Sequence, residues 1–284
     1  MPELPEVETL RRALEASIVG REIAEFVVRL PKVFRAAEGL SASDLVGARF
    51  VGVARRGKFL VFGLSDGLSL VFHLRLSGQL VLRRGCETVL AGGHPVPRYD
   101  APLPHKATHL EIGLDDASRL FFTDIRQFGF CLLMPTAAVA GYLAAQRLGP
   151  EALGDEFTVE WLAALLARRK SAVLKALLLD QRGIAGLGNI YADESLWRAG
   201  IDPLRQAGSL SPEEVARLHG AIRETLEHAI THGVAEMRGD RAVKEDGFPF
   251  AHGREGKPCP RCGGTIRRVR VGGRSTYFCE ACQR

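Results

Sequence analysis

Two groups of residues in this 284-residue chain can do chemistry that packing alone does not require. The first is a quartet of cysteines. Cys259-Pro-Arg-Cys262 and Cys279-Glu-Ala-Cys282 are two Cys-x-x-Cys pairs separated by sixteen residues, a spacing that suits a tetrahedral zinc site. Four thiolates close the coordination sphere, so one structural Zn2+ is expected, activating no water. A disulfide pair is the weaker alternative in a reducing compartment. Cys86 and Cys131 lack such spacing and read as ordinary thiols. The second group opens the chain as Met1-Pro-Glu-Leu-Pro-Glu6. An internal proline nitrogen is an amide, but loss of Met1 turns Pro2 into a free secondary amine. A free α-amino group titrates near roughly 7.7–8.0, so a fraction of it is unprotonated and nucleophilic near neutrality. A helix N-terminus lowers that value, while Glu3 and Glu6 raise it.

These groups need positioning elements. Val7, Leu10, Leu14 and Ile18 recur on one helical face after Pro5 and Glu6, which suit a first turn, so Pro2 stands just before a helix N-terminus. Strand-like segments follow at 59–64, 68–74, 109–114 and 120–123, joined by turns such as Ser65-Asp66-Gly67. Residues 20–135 thus predict an antiparallel sandwich or barrel of hairpins, with Lys58 on a strand edge and 92–104 as an exposed loop. Beyond Pro135 the chain turns rich in Ala, Leu and Arg. Helical patterns run over 137–147, 158–169, 171–182, 189–199 and 211–232, the last opening on the capping box Ser211-Pro-Glu-Glu214. Gly186-Leu-Gly188-Asn189 lies between two of these helices, where N–H groups at a helix start can hold a phosphate; Asn189 also suits an N-cap. Arg168, Arg169 and Lys170 precede the first of the pair. The expected organisation is a β domain over 1–135, a helical domain over 136–232, a mobile loop over 233–252 and a zinc finger over 253–284.

The net charge of +5 is more than supplied by residues 254–284, which hold eight basic and two acidic side chains. Such concentration suits a polyanion. Arg274 follows Gly272-Gly273 at a predicted hairpin tip, where a guanidinium can reach a phosphate. The N-terminus carries acid where a signal peptide carries base, and no apolar run approaches membrane-spanning length. A cytoplasmic protein with no membrane partner is expected.

Taken together, several segments resemble the formamidopyrimidine-DNA glycosylase family, nearly end to end. They are Met1-Pro-Glu-Leu-Pro-Glu-Val-Glu-Thr9, Arg56-Gly-Lys58, His73-Leu-Arg-Leu-Ser-Gly78, Asp124-Ile-Arg-Gln-Phe-Gly129, Leu179-Asp-Gln-Arg182, Gly186-Leu-Gly-Asn-Ile-Tyr-Ala-Asp-Glu194 and the cysteine hairpin. The resemblance implies an α+β fold: an N-terminal antiparallel β-sandwich carrying an N-terminal helix, then a helical helix-two-turns-helix domain with a zinc finger. It implies a monomer that takes damaged double-stranded DNA, removes oxidised purines and cleaves the strand by β,δ-elimination, with no redox or nucleotide cofactor.

By the same resemblance Pro2 is the nucleophile, Glu3 the acid that assists sugar-ring opening, Lys58 a proton donor in β-elimination or a phosphate holder, and Arg274 the δ-elimination and phosphate residue. Glu6 is assigned to the helix start. Leu76, Arg126 and Phe128 fill the space left by the extruded nucleotide, although Leu76 and Phe128 taken alone read as core. Lys106, Arg169, Lys170 and Asn189 complete the DNA contacts. The chain departs from the family pattern at Leu76, where methionine is frequent, at Ile125, where proline is frequent, at Ala107 within a Lys-His-x-His stretch, and over 233–252, which does not match the usual lesion-capping loop. The lesion therefore stays open between oxidised purines and the oxidised pyrimidines of endonuclease VIII-like relatives. Two other classes share single features of this chain: a nucleic-acid-binding protein without chemistry, and a tautomerase using N-terminal proline as a base, which would start on a strand in a short chain.

Overall fold

The computed structural model describes residues 1–237 and 247–284, and of 233–237 the backbone alone. The chain divides into two compact units. One is built on residues 1–146, to which the end of the last helix from Ile230 is assigned; the other holds 147–229 and 247–284.

The first unit opens with α1 (Leu4–Ile18). Its apolar stripe Val7, Leu10, Leu14 and Ile18 is almost fully buried, against Phe50, Phe62 and Phe72 of the sandwich core. Truncating Leu10 or Leu14 to alanine there costs about 2–5 kcal/mol.

Ten strands follow: β1 (Ile23–Val28), β2 (Phe34–Ala36), β3 (Phe50–Arg56), β4 (Phe59–Leu64), β5 (Leu68–His73), β6 (Gly78–Arg84), β7 (Glu87–Gly93), β8 (Thr108–Leu114), β9 (Ser118–Asp124) and β10 (Phe130–Pro135). They form two five-stranded sheets, ordered β1-β8-β9-β6-β7 and β2-β10-β5-β4-β3. All neighbours are antiparallel except β2 and β10, which run parallel. Phe62 meets Phe72 edge-to-face at 5.3 Å within one sheet, and Phe72 meets Phe122 of the other sheet edge-to-face at 5.7 Å, so the sheets share one core.

Two crossings between the sheets lie side by side. β5 leads to β6 through residues 74–77, and β9 leads to β10 through 125–129. The strands at both ends are paired, His73 with Phe130 and Gly78 with Asp124. Register therefore holds the two loops together. α2 (Thr136–Ala145) packs on β10 and β5, so the β unit runs to Gln146 and past the boundary expected at Pro135. The compositional shift marks where helix begins, not where the unit ends.

The second unit contains α3 (Val159–Arg168), α4 (Leu174–Leu178), α5 (Asn189–Ala199) and the start of α6 (Pro212–Met237), then the hairpin β11 (Ile266–Val271) and β12 (Arg274–Cys279). α4 is much shorter than the helix expected over 171–182. The Asp180 carboxylate accepts the Arg182 N–H at 3.0 Å and closes a turn that competes with helix. The Gln181 side chain then binds Leu187 O at 2.7 Å and Gly186 N at 3.0 Å, holding the link to α5. α6 continues to Met237, past Gly233 and into the helix formers Ala235, Glu236 and Met237, taking the first residues of the stretch expected as loop; 238–246 of that stretch lie outside the described residues. Among the described residues no helix is long and apolar enough to cross a membrane.

Candidate active site and nucleic-acid interface

Pro2 and Glu3 are both buried, Glu3 to 2% exposure, immediately before α1. Glu3 is the helix N-cap, and its N–H donates to the Glu6 carboxylate at 2.9 Å in a capping box that Pro5 adjoins. Glu6 thus lies at the helix start and leaves Glu3 in the same turn as the Pro2 nitrogen. With Met1 in place that nitrogen is a tertiary amide. The helix itself is anchored through Glu8, whose carboxylate takes Arg12 Nε at 2.8 Å and Arg55 Nε of β3 at 2.9 Å. Burial works against its charge, yet Arg11, Arg12 and Arg55 together bring its pKa down to about 2.

Lys58 stands in the two-residue turn between β3 and β4, not on a strand edge, and is only 7% exposed. Gly57 at φ 55 supplies the left-handed first position that such a hairpin turn requires. His73 is a neighbour that sequence reasoning passed over. Burial, then the charges of Arg75 and Lys58, push its pKa down to about 3, so its ring is neutral near pH 7. Its Nδ1 accepts the Arg75 N–H at 3.0 Å.

The adjacent crossings carry the expected wedge residues. Phe128 is 55% exposed, contrary to the core reading of that residue alone, and the Arg126 guanidinium lies 5.4 Å from its ring centroid. Leu76 is half-buried on the neighbouring loop, and Lys106 is exposed before β8.

In the second unit the N-cap of α5 is Gly188, so Asn189 occupies the first helical position and is not the cap. Its Nδ2 donates to Ser275 O at 3.0 Å, and its Oδ1 has no hydrogen-bond partner among the described residues. Arg274 is exposed at the first position of β12, opposite Val271 across the Gly272-Gly273 turn. Arg169 and Lys170 are exposed beyond α3, with Arg169 3.7 Å from Asp180. Glu194 was not singled out from sequence. It is buried and accepts the N–H groups of Phe250, Ala251 and His252 at 2.7–2.9 Å, tying α5 to the chain entering the zinc hairpin.

The cysteine sulfurs of 259, 262, 279 and 282 all lie within 4.8 Å of one another. The Cys259–Cys282 and Cys262–Cys279 separations, 3.9 and 3.6 Å, bracket the ~3.8 Å edge of a tetrahedron with Zn–S bonds near 2.3 Å. Burial and the neighbouring thiols push Cys282 up to about 12, so four thiolates here require a cation. The donor set fits one structural zinc.

Comparison with known proteins agrees with this arrangement. Family models for the formamidopyrimidine-DNA glycosylase N-terminal domain, its H2TH domain and the zinc finger found in FPG and IleRS match residues 1–131, 148–239 and 256–284. The chain is 44% identical to the formamidopyrimidine-DNA glycosylase of Pelotomaculum thermopropionicum, covering 100% of this chain and 99% of that one. The chain belongs to the formamidopyrimidine-DNA glycosylase family. A second relative, from Paracoccus denitrificans, is 43% identical with both chains fully covered. Among solved structures, Lactococcus lactis formamidopyrimidine-DNA glycosylase bound non-covalently to DNA with an AP site superposes with a TM-score of 0.85 at 34% identity, over 99% of each chain. The same enzyme in complex with DNA containing an oxidised pyrimidine gives 0.86 at 34% identity over 100% of each. The sandwich with its leading helix, the helical region and the zinc finger are thus the family fold, and the chain is a DNA glycosylase.

Proposed function

We propose that this glycosylase removes oxidised purines from duplex DNA and then cleaves the strand, with the Pro2 amine as nucleophile once Met1 is gone. The observation that carries the reading is the exposed Arg126–Phe128 pair beside half-buried Leu76, an arrangement the sandwich does not need for its own stability. Extruding a nucleotide costs a few kcal/mol of stacking, and a wedge of this chemistry recovers part of it. Phe128 enters the stack and Arg126 hydrogen-bonds the orphaned base.

The Pro2 nitrogen attacks C1′ and the bond to the damaged base breaks, its electrons leaving with the base. Glu3 protonates the ring oxygen as the sugar opens, giving an iminium. The iminium acidifies the C2′ proton; its removal expels the 3′ phosphate, and a second elimination expels the 5′ phosphate. Lys58 and Arg274 hold these phosphates and assist proton transfer. The start of α5 with Asn189, and Arg169, Lys170 and Lys106, grip the backbone without reading sequence. Zinc, held by the four cysteines, supplies only the fold of the hairpin that presents Arg274.

Lactococcus lactis relatives are solved with Fapy-dG and with an oxidised pyrimidine, so both classes belong in the test. Borohydride reduction during reaction with an 8-oxoguanine duplex is expected to yield a covalent adduct on Pro2. Duplex binding without an adduct would favour a binding protein without chemistry. Single-turnover competition is expected to place oxidised purines ahead of oxidised pyrimidines.

A further inference from the structure

Asp124 ends β9 with no solvent exposure, and every polar atom it offers is used. One carboxylate oxygen, Oδ1, accepts the Ser77 hydroxyl and the Arg126 N–H, the latter at 3.1 Å. The other, Oδ2, accepts the Gly129 N–H at 2.7 Å. The Asp124 carbonyl accepts the His109 ring, which must carry its proton on Nε2, at 2.7 Å. The Asp124 N–H donates to Ala107 O at 3.0 Å. Ser77 Oγ also accepts the Arg126 N–H at 3.1 Å. Both β crossings and the approach to β8 therefore meet at one residue.

The loops so tied hold conformations that they would not adopt freely. Arg75 and Gln127, neither a glycine, sit at φ 53 and 56 in the left-handed region. A Cβ at Gly129 would meet the Phe122 ring at 2.7 Å, so this backbone is pressed onto the core where Asp124 binds it. Strain of that kind persists only where surrounding contacts over-determine it.

We infer that Asp124 is a positioning residue that pre-orders Leu76, Arg126 and Phe128 as one rigid wedge before DNA is engaged. The inference rests on the reading above that these side chains enter the helix. Asp124 touches no reacting atom. Its role is to spare the loops an ordering cost at the moment of binding.

D124N keeps the shape but places an NH2 against groups that are already donors. S77A removes only the hydroxyl relay between the crossings. Each variant is compared with the parent on two substrates in single turnover: an 8-oxoguanine duplex, which must be opened, and an abasic single strand, which has no stack to open. In D124N the ratio of duplex to single-strand rate is expected to fall about 30-fold, and in S77A about 5-fold, as expected for broken buried hydrogen bonds felt only when the wedge is used. The fluorescence rise of 2-aminopurine beside the lesion should fall in parallel. An unchanged ratio in S77A and D124N, whether both rates hold or both fall together, overturns the inference; S77A alone decides if D124N does not fold. A parent enzyme inert on both substrates would overturn the glycosylase-lyase reading itself, a failure distinct from an unchanged ratio.

Discussion

The side-chain amide of Asn189, first residue of α5, donates to the main-chain oxygen of Ser275, next to Arg274 on the zinc hairpin, at 3.0 Å. The start of a helix and an exposed guanidinium thus belong to one hydrogen-bonded frame, which suits a single stretch of DNA backbone. N189A is expected to weaken binding to a lesion duplex about 10-fold, because it removes a donor and loosens the strand bearing Arg274. R274A is expected to lower the slope of log K against log salt by about 1, the signature of one lost phosphate contact. Fluorescence anisotropy over a potassium chloride series measures both. A slope identical to the parent's in R274A would remove Arg274 from the phosphate contacts.

Retaining Met1 should abolish catalysis without unfolding the protein. Glu3, next to Pro2, is held by the capping box of α1, which is complete with Met1 present. A chain shown by mass spectrometry to keep Met1 is therefore expected to melt normally, bind duplex DNA and give no borohydride adduct. Full activity from that chain would exclude the Pro2 amine. E3Q on processed protein should slow base excision by about 100-fold or more while leaving binding in place, the scale of a lost general acid.

How much of this was legible in the sequence follows from how local each signal is. The cysteine pairs and Pro2-Glu3 are contiguous in the chain, so their chemistry could be read before any fold was known. The helical stripe of α1 and the hairpins of the sandwich were legible for the same reason: their periods are local. Phe128 was legible only through the family resemblance, because taken alone an aromatic near strands reads as core, and it is the paired crossings that leave it exposed. Lys58 was misplaced by one step, since Arg56-Gly57-Lys58-Phe59 reads as strand until Gly57 is seen to turn the chain. Asp124 and Glu194 acquire their roles in part from partners tens of residues away, Ser77 and residues 250–252, and His73 acquires its own from burial. For Glu8 a local trace existed, its spacing to Arg11 and Arg12, but the bond to Arg55 did not show.

Acid should destabilise the first unit in two overlapping windows. His73 has a folded pKa near 3 against 6.5 when free, so the unfolded chain binds the extra proton and stability falls as pH drops from about 6.5 toward 3. Glu8 sits near 2 against 4.5, so its contribution is full above 4.5 and is lost as pH falls toward 2. After solvent screening the Glu8 share is on the order of 2 kcal/mol. E8Q should therefore be less stable than the parent at pH 7 by about that amount, and the gap should close toward pH 2. Urea unfolding at pH 7, 5, 4 and 3 checks this; a gap that stays constant with pH would separate Glu8's stability role from its charge.

Zinc retention should depend on a tryptophan outside the ligand set. The Trp197 indole N–H points at Cys259 Sγ, 3.4 Å away, while its ring stacks on Phe250 at 5.0 Å and lies under the Arg261 guanidinium at 4.4 Å. A donor to a thiolate spreads its charge and fixes its direction, and losing such a partner typically costs metal affinity 10- to 100-fold. Apart from its cysteines the hairpin buries little apolar surface beyond Ile266, Val271 and Phe278, so its folding free energy comes largely from the metal. Chelation should therefore melt the hairpin and abolish duplex binding, while the sandwich keeps its own core. W197F keeps the ring but loses the donor. It is expected to surrender zinc to a chromogenic chelator about 10-fold faster than the parent, with W197A faster still because the stack goes as well. Equal release from parent and W197F would show that the ring, and not the N–H···S bond, is what Cys259 requires.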